Sequence, residues 1–223
     1  MSGHSSLRRG PAFRRLRLGT WPPRVIADAF VGGHLVTPLL DISGAGAKII
    51  ADSLGGELDV VLVHKLTHPE QAELAIGAID EEGNAFVNDW AADLDPAYLE
   101  AEKKRQLAVL RQRRTRYTPL RKSIDPQGRI VIVVDDGIAT GSTMTAALRA
   151  LRARQPKKLV GAVAVASPDA ARAMLHECDA MVCLNVPAEF YAVGQFFADF
   201  SQVSDDDVVA ILKQDLDKLS AVG

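Results

Sequence analysis

Residues 133–144 read VVDDGIATGSTM, and this stretch decides the fold. An apolar run at 130–134 (IVIVV) leads into two adjacent carboxylates, Asp135 and Asp136. A turn rich in glycine and hydroxyl residues follows, and a helical pattern begins at Ser142. Five β-branched residues in succession predict a strand buried on both faces, as in a parallel sheet. Ligands bind at the carboxyl edge of such a sheet, so the carboxylates and the turn form the candidate site.

The turn after Asp136 has the composition of an anion-binding loop. Backbone N–H groups at a turn that enters a helix bind phosphate. The hydroxyls of Thr140, Ser142 and Thr143 add further donors. The neighbouring carboxylates can accept hydrogen bonds from vicinal hydroxyls. A phosphate cradle beside an acidic pair describes a ribose 5-phosphate site, and the alternative is a glycine-containing turn with incidental aspartates.

Short apolar runs alternate with helical patterns on both sides of this stretch, which is typical of βαβ units. The predicted core strands are residues 34–42, 58–63, 130–134, 159–165 and 180–184. Helices are predicted up to Leu54, over 142–154 and over 169–177, with an acid-capped terminal helix from Asp205. The predicted fold class is therefore α/β, with a parallel, Rossmann-like sheet flanked by helices.

A segment at about 66–127 interrupts the alternation. It contains a predicted hairpin, 74–79 and 85–87 about a turn at 81–84, and a long helix from Asp95-Pro96 to about Arg116. We expect this segment to form an inserted hood sub-domain within a domain of residues 25–223. Residues 1–24 carry six arginines and no acidic residue, and we expect them to form a flexible N-terminus.

The composition of the 223 residues excludes several classes of protein. The 48% hydrophobic and 24% charged fractions argue against a disordered chain. No apolar stretch reaches the roughly 18 to 20 residues of a membrane helix. A formal net charge of -2 gives no global reason to expect nucleic acid. Cys178 and Cys183 form neither a disulfide framework nor a zinc site, which predicts a reducing, cytoplasmic setting. From the short apolar stretches and the net charge, we expect no membrane or nucleic-acid partner.

Residues 133–144 resemble the motif that binds 5-phosphoribosyl 1-diphosphate (PRPP) in the type I phosphoribosyltransferases. The resemblance spans roughly 58–212, includes uncharacterised bacterial members, and has most of its specificity in 131–144. It implies the type I phosphoribosyltransferase fold, with Asp135 and Asp136 binding the ribose hydroxyls and helping to position Mg²⁺-PRPP. It further implies a PRPP-binding loop made of Gly137, Ile138, Ala139, Thr140, Gly141, Ser142 and Thr143.

The resemblance also implies groups that bind pyrophosphate. The loop after the first core strand serves this purpose in the family, and Ser43, Gly44, Ala45 and Gly46 stand in that place. Similar bacterial proteins tend to have a Pro-Arg-Gly-Gly-like loop there, whereas this chain lacks the arginine. Lys65 resembles the basic residue that ends the following strand in many members, so it joins Asp135 and Asp136 as a candidate catalytic residue. A solvated lysine after a strand is the alternative.

Residues 190–197 are similar to the base-side segment of purine phosphoribosyltransferases, in which an aromatic ring stacks on the base. On that analogy Phe190 or Tyr191 stacks on the base and Asp199 faces the metal. The alternative is an aromatic cluster that packs the sheet edge. The basic side chains of the long hood helix have the pattern of a solvated face. Beyond that helix, Arg121 or Lys122 could close over pyrophosphate, as basic loops do in the family.

The implied activity is a Mg²⁺-dependent pentosyl transfer from PRPP to a small-molecule base, a nucleotide salvage-type reaction that releases pyrophosphate. Hypoxanthine–guanine enzymes typically have an aspartate where this chain has Ala139, so a 6-oxopurine is disfavoured and adenine or uracil stays open. The alternative function is a non-catalytic PRPP- or nucleotide-sensing regulator, which the altered pyrophosphate loop favours. Dimers are common in the family, so a homodimer is one assembly that the resemblance allows.

Overall fold

The computed structural model describes residues 34–38, 44–71, 74–91, 93–119, 123–198, 200 and 204–222. Its core is a five-stranded parallel sheet made of β1 (His34–Pro38), β2 (Glu57–Leu58), β6 (Ile130–Ile138), β7 (Lys158–Ala166) and β8 (Ala180–Asn185). The strand order in the sheet is β2-β1-β6-β7-β8. Helices cover both faces of this sheet, and the predicted α/β class is confirmed.

Five α-helices accompany the sheet in the described residues. They are α1 (Gly44–Leu54), α2 (Pro96–Tyr117), α3 (Ser142–Ala153), α4 (Pro168–Met174) and α5 (Asp205–Val222). Ile50 of α1 and Leu212 of α5 share an apolar cluster with Ile132 of β6, on one face of the sheet. Leu148 of α3 and Met174 of α4 belong to the cluster on the other face. None of the helices in the described part of the chain is long and apolar enough to span a membrane.

Strands β6 and β7 form the centre of the core sheet. Most side chains in them are buried, as expected for β-branched residues in a sheet that is covered on both faces. β6 runs to Ile138, four residues past the predicted end at Val134, so Asp135 and Asp136 lie inside the strand. The carboxylates are therefore held by the ladder with β7 rather than by a loop.

The prediction of one strand over residues 58–63 was wrong. β2 ends at Leu58, and Val63 already begins a strand of a second sheet. The buried carboxylate of Asp59 lies at the break, where one oxygen accepts from Val60 N at 2.7 Å and the other from Ile124 N at 2.7 Å. Asp59 N still donates to Val36 O of β1 at 2.9 Å, and the backbone leaves the core sheet after this residue.

The inserted segment, which we call the hood, forms a second, antiparallel sheet together with α2. Its strands are β3 (Val63–Thr67), β4 (Ala75–Asp80) and β5 (Ala85–Val87), in the order β3-β4-β5. This confirms the predicted hairpin. The hood sheet begins three residues before the predicted start of the insertion. The bounds of the insertion, 66–127, stay a prediction. Asp95 caps α2 by accepting from Ala97 N at 2.9 Å, and Pro96 is the first helical residue, as predicted.

Polar side chains hold α2 against its neighbours. Buried Glu102 accepts hydrogen bonds from Thr67 N at 3.1 Å, Thr67 Oγ1 at 3.0 Å and Gln106 Nε2 at 2.9 Å. At the end of the helix, Tyr117 Oη donates to Asp205 Oδ1 of α5 at 2.7 Å. The sequence predicts that the basic side chains of α2 form a solvated face, but several of them are held in ion pairs. Ion pairs engage Lys103, Arg105, Arg113, Arg114 and Arg116.

Candidate functional site

The two carboxylates lie at the carboxyl end of β6, where Asp135 is opposite Val163 of β7. Successive side chains of a strand point to opposite faces, so the two carboxylates flank the strand rather than face each other. Asp136 is 7% exposed, whereas Asp135 is half-buried. Asp136 N donates to Asp135 Oδ1 at 3.0 Å, which fixes the Asp135 side chain against its own strand.

The turn from β6 into α3 leaves the helix N-terminus open to a ligand. Gly141 is the N-cap residue with φ +81, and no side chain caps the helix there. This backbone conformation favours glycine, and a Cβ here would lie 2.9 Å from Met174 Cε, so the methionine methyl group would also have to shift. The hydroxyls of Thr140 and Ser142 lie 3.3 Å apart at the mouth of the turn. Together these groups offer N–H and O–H donors to an anion.

Ser167, which sequence reasoning missed, anchors this turn from the neighbouring strand. Its Oγ donates to Ala139 O at 2.7 Å, and its backbone N donates to Ile138 O at 3.0 Å. The same Oγ accepts from Ala170 N at 3.1 Å and so caps α4. A serine followed by Pro168 is a recognisable helix start, but the sequence has no signal for the contact with Ala139.

The predicted base-side segment packs directly on the motif strand. A 3₁₀ turn, Val193–Phe196, packs against β6 and β7. A Cβ at Gly137 would lie 2.7 Å from Val193 Cγ1, so glycine in β6 allows this close approach. The Phe190 ring stacks on Phe196 at 5.7 Å between centroids, whereas Tyr191 is 84% exposed. Of the two predicted stacking residues, Phe190 is engaged within the segment and Tyr191 projects from it.

Gln195 closes the loop that carries these rings, and sequence reasoning missed it. Its Oε1 accepts from Tyr191 N at 3.3 Å and from Ala192 N at 3.4 Å. Its Nε2 donates to Glu189 O at 3.4 Å. All of these partners are backbone groups within six residues, and no local sequence pattern indicates such a closure.

The predicted pyrophosphate groups are arranged differently from the expectation. Gly44, Ala45 and Gly46 lie in the first turn of α1 rather than in a loop. Lys65 lies inside β3, opposite Ala78 of the hood sheet, rather than at the end of a core strand. Their roles stay predictions. Four further predicted residues, Ser43, Arg121, Lys122 and Asp199, lie outside the described residues, as does the basic segment 1–24.

A cavity of about 30 Å³ lies apart from the candidate site. It is bordered by the break after β2, the turn between β4 and β5, and the end of α3. Its walls include Thr37, Val60, Glu81 and Arg154. It contains none of the motif residues, and its volume suits one or two ordered water molecules. The candidate site at the open sheet edge is therefore separate from this cavity.

The donor set at the edge fits a magnesium ion that arrives with a phosphorylated ligand. The described residues contain no group of three or more His, Cys, Asp or Glu side chains that could hold a metal by themselves. Mg²⁺ in phosphate sites takes one or two protein carboxylates and completes its shell with phosphate oxygens and water. Half-buried Asp135 at the strand end can supply that share, whereas Asp136 lies on the opposite face of the strand and is nearly buried.

Comparisons with known proteins agree with this architecture. The family model described as "Phosphoribosyl transferase domain" matches residues 45–200. Two Mycobacterium tuberculosis proteins, from strains CDC 1551 and H37Rv, are 44% identical over 166 residues, and their names assign them provisionally to the phosphoribosyl transferases. That match covers 73% of this chain and 38% of each relative, so the chain spans well under half the relatives' length. The crystal structure of TT1426 from Thermus thermophilus has 40% identity and a TM-score of 0.76, covering 86% of this chain and 92% of that one.

Proposed function

The chain belongs to the phosphoribosyl transferase domain family, and we propose that it transfers the 5-phosphoribosyl group of PRPP to a nitrogenous base and releases pyrophosphate. One observation carries this proposal: the junction of β6 and α3 joins two carboxylates to a glycine-capped helix N-terminus at the ligand-binding edge of the sheet. The proposal includes a role in nucleotide salvage, a cytoplasmic location and a homodimeric assembly.

The 5-phosphate would bind at the start of α3. An α-helix leaves its first N–H groups without backbone partners, and the helix dipole adds partial positive charge there. In this chain Gly141 supplies no capping side chain, so an incoming phosphate can take the place of a cap. The hydroxyls of Thr140, Ser142 and Thr143 would add donors around it.

The ribose hydroxyls would bind at the end of β6. Half-buried Asp135 is the more accessible carboxylate, and its side chain is already oriented by Asp136 N. Asp136 lies on the opposite face of the strand and is nearly buried, and its carboxylate would bind on that side of the strand end. The phosphate-binding turn and the carboxylates belong to one strand–turn–helix unit. The distance between them is therefore set before the ligand binds, which lowers the entropic cost of ordering the site.

In the reaction, a ring nitrogen of the base attacks C1 of PRPP while the bond from C1 to the pyrophosphate oxygen breaks with inversion. The electron pair of that bond leaves with pyrophosphate, and the base gives up its ring proton to solvent or to a neighbouring group. Bound Mg²⁺ supplies neutralisation of the phosphate charge. The residues of this chain would orient the ribose, and the segment Val193–Phe196, which packs on Gly137 of β6, would limit the access of water that hydrolyses PRPP.

A second function is that of a PRPP or nucleotide sensor without turnover. The altered pyrophosphate loop favours it. Gly44 to Gly46 begin α1 directly, and the preceding sequence contains no arginine between His34 and Gly44. A helix N-terminus can still bind an anion, but a fixed guanidinium stabilises a departing anion more strongly. The phosphate and ribose groups are compatible with both functions.

Pyrophosphate release from Mg²⁺ and PRPP, measured against a panel of bases, tests the proposal. We expect turnover with at least one base, and loss of PRPP affinity in the double variant Asp135→Asn, Asp136→Asn. Asp206→Asn is the matched control, because that carboxylate is 88% exposed in α5. PRPP binding without turnover on any base would support the sensor instead. Unchanged PRPP affinity of the double variant in calorimetry would contradict both functions at this site.

A further inference from the structure

We propose that the acceptor is an uncharged or cationic aromatic heterocycle, and that heterocycles carrying a carboxylate are rejected. This inference rests on the proposed function and names the acceptor class of the same site. It follows from three properties of the acceptor wall, by which we mean the loop and 3₁₀ turn at residues 186–198 with Phe200.

The first property is charge. Residues 180–212 contain no lysine, arginine or histidine, and they contain five acidic residues. One of these, Glu189, lies exposed in the loop of the acceptor wall. A carboxylate that enters a partly desolvated pocket needs a cationic or hydrogen-bonding partner, or it pays a large desolvation cost. This wall would instead place a second negative charge beside it.

The cations of the neighbouring helices are already engaged in the described structure. Arg149 of α3 donates to Glu177 at 2.9 Å, and Arg152 donates to Asp179 at 2.8 Å. Arg172 of α4 pairs with Asp169. A carboxylate ligand would have to compete with a carboxylate already bound to each of them, so none offers a preformed anion site to the acceptor.

The second property is aromatic surface. Phe190 stacks on Phe196, and Phe197 meets Phe200 at 5.3 Å between ring centroids. The Phe200 ring covers Gly194, with Cδ1 3.1 Å from the place of a Cβ. Tyr191 stays 84% exposed on this layer and is free to stack. The negative faces of aromatic rings attract planar heterocycles and cations and repel anions.

The third property is that the described wall offers few side-chain hydrogen-bond donors, namely the Gln195 amide and the exposed Tyr191 hydroxyl. The amide of Gln195 bonds to the backbone at residues 189, 191 and 192. The hydroxyl of Ser167 is taken by Ala139 O and Ala170 N. Ala139 itself adds no polar group. Recognition would therefore rest on stacking, on backbone groups and on the single Tyr191 hydroxyl, which suits a neutral ring and gives a carboxylate no charged partner.

Matched acceptor pairs that differ by a carboxylate test the inference. Orotate is uracil with a carboxylate, and nicotinate carries a carboxylate where nicotinamide carries an amide. We expect kcat/KM with PRPP and Mg²⁺ to be at least about 100-fold higher for the uncharged member of any pair that turns over. A carboxylate member that reacts equally well or better would overturn the inference, and would indicate a cation supplied from outside the described residues.

A charge variant of the acceptor wall sharpens the same test. Glu189→Lys puts a cation on the acceptor wall, and we expect it to reduce the discrimination against the carboxylate member at least about 10-fold. Glu100→Lys makes the same charge change on α2, where the Glu100 side chain is 63% exposed, and should leave the discrimination unchanged. Equal behaviour of the two variants would contradict the role of the acceptor wall.

Binding measurements separate a failure of this inference from a failure of the proposed function. If no base is turned over, calorimetry with nicotinamide and nicotinate in the presence of PRPP and Mg²⁺ still compares the two charges. Weaker binding of nicotinate would then retain the acceptor class while the transferase proposal fails. Equal or tighter binding of nicotinate, or binding of neither compound, would overturn the acceptor class.

Discussion

The core sheet and the hood sheet are stabilised in different ways. In β6 and β7 the side chains on both faces are buried and almost all apolar, and they belong to the two clusters beneath the helices. The hood sheet also buries apolar side chains, but its helix is attached by buried polar groups such as Glu102 and Tyr117. The core is therefore stabilised mainly by burial, and the docking of the hood depends also on individual hydrogen bonds.

This difference predicts how the two regions respond to change. Burial of apolar surface is non-directional and adds up over many contacts. A buried polar contact is directional, and loss of one partner leaves the other without a hydrogen bond. We expect the hood to loosen locally while the core stays folded, and the variants below test this expectation in order of decreasing effect.

The largest effect is expected for Ile132→Ala in β6. Ile132 is 0% exposed, so truncation removes buried surface and leaves a cavity, at a cost of about 2 to 5 kcal/mol in the free energy of unfolding. Urea unfolding monitored by circular dichroism measures it. Ile130→Ala is the matched control, because Ile130 begins the same strand and is only half-buried. Equal losses for the two variants would contradict the account of the core.

Glu102→Ala should have the next largest effect, and a local one. It leaves Thr67 N, Thr67 Oγ1 and Gln106 Nε2 without their acceptor, at about 1 to 3 kcal/mol. These hydrogen bonds hold the pKa of Glu102 below its usual value even though burial acts in the opposite direction. Hydrogen exchange should accelerate in β3 and α2 and stay unchanged in β6 and β7. Faster exchange in both sheets would mean that the hood does not open separately.

Tyr117→Phe should cost about 1 kcal/mol, because it removes one hydrogen bond to Asp205 and keeps the ring. Burial, and next the contact with Asp205, raises the pKa of Tyr117, so the folded state favours the neutral phenol. That stabilisation is complete below pH 10 and is lost as the pH rises above it. Urea unfolding between pH 8 and 11 should show a decline in the wild type that is reduced in the variant. An equal decline in Tyr191→Phe and Tyr117→Phe would contradict this role.

The smallest expected effect is a pH dependence that comes from one histidine of the core sheet. His34 is 2% exposed, and neither ring nitrogen has a hydrogen-bond partner among the described residues. Burial lowers the pKa of His34 below 6.5, so the folded state favours the neutral ring. Its stabilising contribution is present above pH 6.5 and is lost as the pH falls below it. His34→Leu should flatten the unfolding free energy between pH 7 and 5, and an unchanged slope would show that the ring protonates without cost.

The sequence predicts the regions whose signals are local. A run of β-branched residues identifies β6, and Asp95-Pro96 identifies the start of α2, because burial and capping act within a few residues. The break after β2 was not predictable, since Asp59 is fixed by Ile124 N, 65 positions further along the chain. The pairing of Tyr117 with Asp205 has the same origin.

The candidate site likewise has one part that the sequence predicts and one part that it does not. The acidic pair and the turn into α3 form one contiguous stretch, so their chemistry can be read from residues 133–144. Ser167, Val193 and Gln195 reach the site from other elements, and only the tertiary structure relates Ser167 to Ala139 or Val193 to Gly137. The arrangement of Lys65 in the hood sheet was likewise not accessible, because it depends on where β2 ends.

The contacts of α5 also have a consequence for biosynthesis. Asp205 of this helix bonds to Tyr117 and Arg116 of α2, and Asp215 lies 3.8 Å from Lys48 of α1. The ribosome releases the chain from its N-terminus at about 5 to 20 residues per second, so α1 and the hood emerge several seconds before α5. During that interval the apolar surfaces that later receive Val208 and Leu212 remain uncovered. The nascent protein therefore passes through an interval with exposed apolar surface, which ends when α5 has left the exit tunnel and packs on the sheet.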